Sequence, residues 1–224
     1  MLYLHENTYP YPGMMDEYVR VMETDLLPGL SRHMTVLGVF RVAFRHRETF
    51  FLSELPHGVE TLEGLSTFVM NERDGLAWHR EGFRYRDEWF DSLLEGLPFS
   101  PTGATIEQRQ KQGDFTGNTL YYRLVHNVLP GRTDEFLESF EKELVPMVEG
   151  VGMKLAGCYS WFGACGESGE IISFWSLKNW AHWGQIREAQ IKRPEFRRWM
   201  EKLSVLCAGW SCKFLIPTPY SMLH

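Results

Sequence analysis

Two stretches of the chain, PYPGMMDEYVRVMETDLLP at residues 10–28 and VLPGRTDEFLESFEKELVP at residues 128–146, are copies of one pattern. At a constant offset of 118 positions, both carry a Pro-Gly pair, then an Asp-Glu pair, a later Glu and a closing Pro. Apolar residues also recur at every fourth position, which is typical of one buried face of a helix. This stripe consists of Tyr18, Met22, Leu26 and Leu30 in the first copy and Phe136, Phe140, Leu144 and Val148 in the second. We therefore predict a tandem repeat in which each copy contains an equivalent helix.

Short strand-like segments surround each copy of this helix. They are residues 2–9, 35–45 and 49–55 in the first half and residues 119–129, 155–162 and 170–177 in the second. Further helical patterns follow at 62–71 in the first half and at 180–191 and 195–203 in the second, and each half closes with an apolar segment and prolines. The order β-α-β-β-α-β is that of a ferredoxin-like unit. Because such a sheet has helices on one face only, two units can bury their bare faces together. We predict an α+β fold in which two ferredoxin-like repeats form a pseudo-dimeric α/β barrel.

The repeat also predicts where the domains begin and end. The first ferredoxin-like repeat is expected at residues 1–101 and the second at 119–224. Residues 102–118 are polar and contain three glycines. That composition is typical of a connection between folded units. We predict a linker there.

The charge and hydropathy of the chain argue against nucleic-acid and membrane partners. The chain has 224 residues and a net charge of −6, with a sequence pI of about 5.8. A nucleic-acid-binding surface requires clustered Lys and Arg, so no nucleic-acid partner is expected. No apolar run is long enough to cross a membrane, and the N-terminus lacks the pattern of a secretory signal. We predict a cytoplasmic protein with a small-molecule substrate and no membrane partner, and a further homo-oligomer stays open.

The quoted strand-and-helix segments resemble the NIPSNAP family of the dimeric α/β-barrel superfamily. The resemblance rests on MLYLHENTYPYPGMMDEY at residues 1–18 and YYRLVHNVLPGRTDEF at 121–136, which are similar to the family's strand followed by Pro-Gly. It continues through LAGCYSWFG and IISFWSL in the second half, and the segment LPFSP at 97–101 resembles the family's Ser-Pro ending. The resemblance implies the barrel fold and a hydrophobic central cavity. It implies no particular reaction, because relatives in the superfamily include monooxygenases, isomerases, lyases, haem enzymes and ligand binders.

Alternation along the first strand of each repeat defines two candidate faces. If the family's polar positions face the barrel interior, the inward set is Leu4, Glu6, Thr8, Tyr122, Leu124 and His126. If the alternation is shifted by one residue, the side chains that face the interior are instead Tyr3, His5, Asn7, Tyr121, Arg123 and Val125. The resemblance favours the first set. On that interpretation Glu6 and His126 face one cavity, where a carboxylate and an imidazole can share acid/base catalysis.

Other residues are candidates for binding the substrate. Arg41 and Arg45 share one face of a predicted strand and can bind a carboxylate through paired hydrogen bonds, although a solvated edge strand explains them equally. His79 lies in DGLAWHREGF, which has no counterpart in the second half, and this insertion can form a pocket wall or an ordinary loop. The predicted aromatic walls are Tyr159, Trp161 and Trp175. In FWSLKNWAHW at 174–183, the spacing predicts instead that Trp180 and Trp183 pack a helix capped by Asn179, with His182 on another side of it.

No metal site is predicted, because the eight histidines are scattered and the four cysteines include no CxxC pair. A haem held by one axial histidine stays open, since a single ligand leaves no spacing to recognise. The sequence favours an enzyme that needs no nucleotide cofactor and acts on an aromatic or hydrophobic substrate, carboxylated or not. Isomerase or lyase chemistry is the simplest use of such groups, and oxygenation stays open. The alternative is a non-catalytic ligand- or haem-binding protein.

Overall fold

A computed structural model describes residues 1–59, 61, 63–64, 66–67, 81–162 and 169–224. The chain divides into two compact units, one formed by residues 1–95 with 216–224 and the other by residues 96–215. The predicted pattern of strands and of the first helix recurs in both units. Of the remaining predicted helices, the two in the second half are present, and the one at 62–71 lies largely outside the described residues.

In its described residues, the first unit contains four antiparallel strands in the order β2-β3-β1-β4. Its strands are β1 (Leu2–Pro10), β2 (Thr35–Val42), β3 (Thr49–Glu54) and β4 (Arg86–Gly96). Between β1 and β2 the chain forms helix α1 (Met15–Val21), a π-helical turn π1 (Met22–Leu26) and helix α2 (Leu27–Leu30). The turn before α1 is possible because Gly13 has a φ of +81°, which glycine adopts without steric cost.

The second unit repeats this arrangement with the order β6-β7-β5-β8. Its strands are β5 (Leu120–Val128), β6 (Lys154–Trp161), β7 (Glu170–Leu177) and β8 (Cys207–Pro217). Its helices are α3 (Gly103–Lys111), α4 (Thr133–Ser139), the π-helical turn π2 (Phe140–Leu144), α5 (Val145–Glu149), α6 (Trp180–Lys192) and α7 (Pro194–Leu206). Each described unit therefore has the ferredoxin-like strand arrangement that the sequence predicts.

The fourfold apolar spacing has a structural reason. In a regular α-helix, a step of four residues rotates about 40° past a full turn, so a strict fourfold stripe drifts off the core. Both copies insert a wider π-helical turn at the same place, 118 positions apart, which keeps the stripe in register. All eight residues of the predicted stripe are buried.

The segment predicted as a linker is part of the second unit. It contains helix α3, whose N-terminus is capped by the Thr102 side chain accepting a hydrogen bond from the Thr105 backbone. Ile106 of this helix is fully buried, and Arg109 contacts Asp114 at 3.0 Å and the Leu155 carbonyl at 3.2 Å. The prediction failed because a short polar helix with one buried apolar residue has the composition of a loop.

Each of the two proline-containing tails is bound through one serine hydroxyl. The Ser100 hydroxyl accepts a hydrogen bond from the Cys158 backbone N–H at 2.8 Å in the second unit. In the first unit, the Ser221 hydroxyl accepts one from the Val39 backbone N–H at 2.9 Å. Val39 and Cys158 hold equivalent positions, because each directly follows the glycine at which the strand pairing resumes after a β-bulge. The domain ends therefore differ from the predicted 1–101 and 119–224, because each tail belongs to the unit in which its serine is bound.

Candidate functional site

Glu6 lies on the face of β1 that the helix covers. Its Oε1 accepts hydrogen bonds from Thr8 Oγ1 at 2.5 Å, from Arg86 Nη1 at 3.0 Å and from Tyr18 OH at 3.5 Å. The Arg86 side chain is fully buried and that of Glu6 is 6% exposed, so the two form a buried ion pair. The Trp89 ring centre lies 4.1 Å from the guanidinium carbon of Arg86 and covers it.

Asp91 stands directly opposite Glu6 in the β1–β4 pair and stays exposed on one side. Desolvation of its carboxyl, and then the negative charge of Glu6, raise the pKa of Asp91 to about 7. Arg86 acts in the opposite direction. The first unit therefore contains a carboxyl pair with one buried cation, and this arrangement holds a proton near neutral pH.

His126 lies on the corresponding face of β5 in the second unit and is 1% exposed. Its ring centre lies 5.1 Å from that of Phe136 and 6.1 Å from that of Phe140. Neither ring nitrogen has a hydrogen-bond partner in the part of the chain that the structure describes. Burial lowers the pKa of His126 to about 4, so the imidazole is neutral at pH 7. A buried polar group without a partner calls for an explanation.

A pocket of about 550 Å³ in the second unit supplies that explanation, because His126 forms part of its wall. Strand β5, the turn π2 and helices α6 and α7 all contribute to it. The lining is aromatic and aliphatic, with two arginines and a glutamine. The aromatic side chains are Tyr122, Trp175, Trp183, Phe196, Trp199 and Trp210, and the polar ones besides His126 are Arg187, Gln190 and Arg197. Such a combination of apolar walls and few polar groups is typical of small-molecule sites.

Two of the wall aromatics are fixed by neighbours. Trp175 donates its indole N–H to Ser173 Oγ at 3.0 Å, and its ring centre lies 5.9 Å from that of Phe140. Tyr122 lies between Trp183 and Phe214, with ring centres 5.1 Å away on both sides. Burial raises the pKa of Tyr122, so its phenol keeps its proton. Neighbouring side chains therefore fix the positions of two wall aromatics, and Tyr122 is a neutral phenol.

The residues of FWSLKNWAHW divide between the pocket and the helix. Asn179 caps helix α6, because its side chain accepts a hydrogen bond from the His182 backbone at 2.9 Å. His182 Nδ1 accepts from the Lys178 backbone at 3.2 Å, which gives this histidine a structural role. Trp180 packs on Phe214 with ring centres 4.9 Å apart. Trp183 packs on Phe214 as predicted and also lines the pocket, which the sequence did not indicate.

The remaining predicted site residues lie elsewhere. Arg41 pairs with Asp16 at 2.7 Å, and Arg45 is exposed in a turn, because β2 ends at Val42 instead of continuing to residue 45. Tyr159 is buried against Phe174, with ring centres 6.0 Å apart. Trp161 donates to Glu170 at 2.8 Å. His79 lies outside the described residues. Of the predicted set, His126 and Trp175 line the second unit's pocket.

The favoured face of the first strands needs a correction. Tyr18 of α1 contacts Glu6, and Phe136 of α4 contacts His126, so both residues face the helices of their own units. Each side chain therefore lies on the helix-covered face of its own sheet, whereas the prediction placed it on the opposite face. Polar residues at alternate positions identify a common face, but alternation cannot tell the helix-covered face of a sheet from its other face.

Sequence reasoning missed the pocket residues of α6 and α7. Phe196, Trp199 and Leu203 follow the 3.6-residue period of a helix, which predicts burial but no ligand. Arg187 and Arg197 carry no local signal that separates them from surface arginines. Within the described ranges, no three His, Cys, Asp or Glu side chains come together in a way that could hold a metal ion. None of the helices in those ranges is long and apolar enough to span a membrane.

Comparisons with known proteins agree with this architecture. The family model described as NIPSNAP matches residues 122–222. A protein described as an "anthrone oxidase-like protein" has a TM-score of 0.66 at 11% identity, over 97% of this chain and 91% of its own. A "putative monooxygenase" from Lactobacillus acidophilus NCFM has a TM-score of 0.63 at 9% identity, over 96% and 93%. Another "putative monooxygenase", from Fusobacterium nucleatum, has a TM-score of 0.62 at 13% identity, over 96% of this chain and 91% of its own.

These structures are too distant in sequence to show more than a shared fold. No curated protein matches the sequence. The chain shares with these structures an α+β fold of two ferredoxin-like repeats, and residues 122–222 of its second repeat are similar to the NIPSNAP family.

Proposed function

We propose that the pocket of the second unit is the active site of a small-molecule enzyme that needs no nucleotide cofactor. In this proposal His126 removes a proton from an aromatic or hydrophobic substrate. The observation that carries the proposal is the placement of His126, which is buried in the pocket wall and has no hydrogen-bond partner among the described residues. Leaving such a group unsatisfied costs about 1–3 kcal/mol, which a purely structural residue would avoid.

The protonation state of His126 suits a base. Because burial lowers its pKa to about 4, the free imidazole is neutral at pH 7 and one nitrogen can accept a proton. After proton transfer, the imidazolium lies beside the substrate anion. The apolar walls exclude water, so the attraction between these two charges is stronger than in solvent and favours the transfer.

Several reactions begin with this step. The substrate anion can be protonated at another carbon, which is isomerisation, or it can expel a leaving group, which is elimination. It can also react with O₂, and the names of the structural neighbours support that course. Glu6 is not the second acid/base group in this proposal, because Arg86, Thr8 and Tyr18 already hold its carboxylate.

Hydrogen exchange of phenylpyruvate tests the proton transfer. This probe is aromatic and has acidic hydrogens at C3, whose replacement in D₂O is followed by ¹H NMR. The wild-type protein should exceed the buffer rate, and His126→Phe should return the rate to that of buffer. His57→Phe is the matched control, because His57 is exposed in the first unit and should leave the rate unchanged. Equal rates for wild type and His126→Phe would refute the assignment of His126.

The alternative is a binding protein that uses the same pocket without catalysis. His126 would hold a haem in this pocket, since a neutral imidazole in the wall of a cavity can bind iron. Bound haem would supply O₂ and one-electron chemistry. Adding hemin and recording the Soret band tests this alternative. A band shift that wild type shows and His126→Phe lacks, together with no phenylpyruvate exchange, favours the binding protein.

A further inference from the structure

Two arginines form part of the pocket lining beside the aromatic walls. Arg187 belongs to α6 and Arg197 to α7, and both are exposed. Arg187 Nη1 donates to Gln190 Oε1 at 2.7 Å, and the guanidinium carbon lies 5.8 Å from the Trp183 ring centre. The guanidinium is therefore oriented by two other residues that line the pocket.

The charge partners of the arginines show what surrounds each guanidinium. Arg20, Arg41, Arg47, Arg84, Arg86, Arg109 and Arg132 each form an ion pair with an Asp or Glu. Arg187 and Arg197 form no ion pair among the described residues, as is also true of the exposed Arg45, Arg193 and Arg198, but of these five only Arg187 and Arg197 line the pocket. The polar side chains that line the pocket include no carboxylate. The lining thus carries two positive charges and no compensating negative one.

The positive charge acts on the pocket interior. Burial raises the pKa of the Tyr122 phenol, and the charge of Arg187 acts in the opposite direction. Tyr122 and His126 project from the same face of β5, since residues four apart on a strand share a face. A ligand in contact with this face therefore lies within the electrostatic field of Arg187.

Building on the proposed function, we infer that the pocket selects an aromatic carboxylate. The ring lies among the aromatic walls, the carboxylate binds Arg187 and Arg197, and the reacting carbon faces His126. Guanidinium groups suit a carboxylate because they can donate two parallel hydrogen bonds to it. This assignment replaces Arg41 and Arg45 as the anion anchor, since neither lines the pocket.

Calorimetric titration with 2-naphthoate and 2-naphthamide tests the inference, because these probes share a ring system and differ in charge. Wild type should bind the carboxylate more tightly than the amide. Arg187→Gln and Arg197→Gln should each weaken naphthoate binding about 3- to 10-fold, as expected for exposed charge-assisted hydrogen bonds, and leave naphthamide unchanged. Arg198→Gln is the matched control, because Arg198 is exposed on the same helix and does not line the pocket.

Four outcomes would overturn the anion anchor: equal affinity of wild type for the two probes, no binding of either probe, normal naphthoate binding by the Arg187 and Arg197 variants, or equal weakening by Arg198→Gln. Failure of the proposed function would be distinguishable from failure of the anion anchor. If the arginine variants behave as expected while His126→Phe still exchanges phenylpyruvate at the wild-type rate, the anchor stands and the proton-transfer role of His126 falls. If exchange needs His126 but the arginine variants bind normally, only the anchor falls.

Discussion

Thr8 and His126 occupy the same position in the two repeats, 118 residues apart, yet their surroundings are opposite in kind. The Thr8 hydroxyl donates to Glu6, which also binds the buried Arg86. His126 contacts aromatic rings and lines a pocket. The position of Glu6 is taken by Leu124 in the second repeat. One repeat thus contains a buried ion pair where the other contains a cavity wall.

Stability should depend on pH through His126. Its pKa is about 4 in the folded protein and about 6.5 when unfolded. Between these values the unfolded chain binds more protons, so this group removes stability as the pH falls, by up to about 3 kcal/mol at pH 4. Urea unfolding at pH 7, 5.5 and 4.5 should show that His126→Phe loses less stability than wild type on acidification. Parallel curves for the two proteins would contradict the buried neutral imidazole.

Asp91→Asn should have the opposite pH signature. The folded pKa of Asp91, about 7, lies above its unfolded value, so the stability that its proton brings is lost as the pH rises through 7. At pH 8 the charged carboxylate repels Glu6, and asparagine removes that repulsion. We expect a higher Tm than wild type at pH 8 and a smaller difference at pH 5.5. Glu88→Gln, at an exposed position of β4, should show no such change.

Glu6 and Arg86 should be strongly coupled in stability. Arg86→Met leaves a buried carboxylate without its cation and should cost about 3–5 kcal/mol in free energy of unfolding. Glu6→Leu copies the residue of the second repeat, and the double variant should recover most of that loss. Urea denaturation of the two single variants and the double variant measures the coupling. If the double variant is as unstable as the sum of both changes, the pair does not act as a unit.

The two serine contacts of the tails should contribute similarly to stability. Ser100→Ala and Ser221→Ala each remove the acceptor of a backbone N–H, at Cys158 and Val39 respectively. We expect each to lower the free energy of unfolding by about 1–3 kcal/mol. Ser204→Ala is the control, because its hydroxyl bonds only its own exposed helix. A cost no larger than that of the control would show that Ser100 and Ser221 do not anchor the tails.

Much of the fold was accessible because its signals are local. The Pro-Gly turn, the fourfold stripe and the offset of 118 are patterns within short windows, and backbone geometry limits how such windows fold. Helix α3 was missed because it has no clear local signal. Only the packing of Ile106 against distant residues distinguishes it from a polar loop. The Asn179 cap of α6 was predicted correctly because a cap requires only neighbouring residues.

The site was less accessible because its parts are distant in sequence. His126 was predicted from its strand position, but Arg187, Arg197 and Trp199 come from helices that close the pocket about 60 to 75 residues later. The sequence by itself determined a tandem repeat, its elements and the shared face of Glu6 and His126. Only the tertiary structure decided that this face is covered by helices, that an ion pair occupies it in one unit, and that a pocket opens beside it in the other. Periodicity specifies which side chains point together, whereas packing between distant segments determines what they meet.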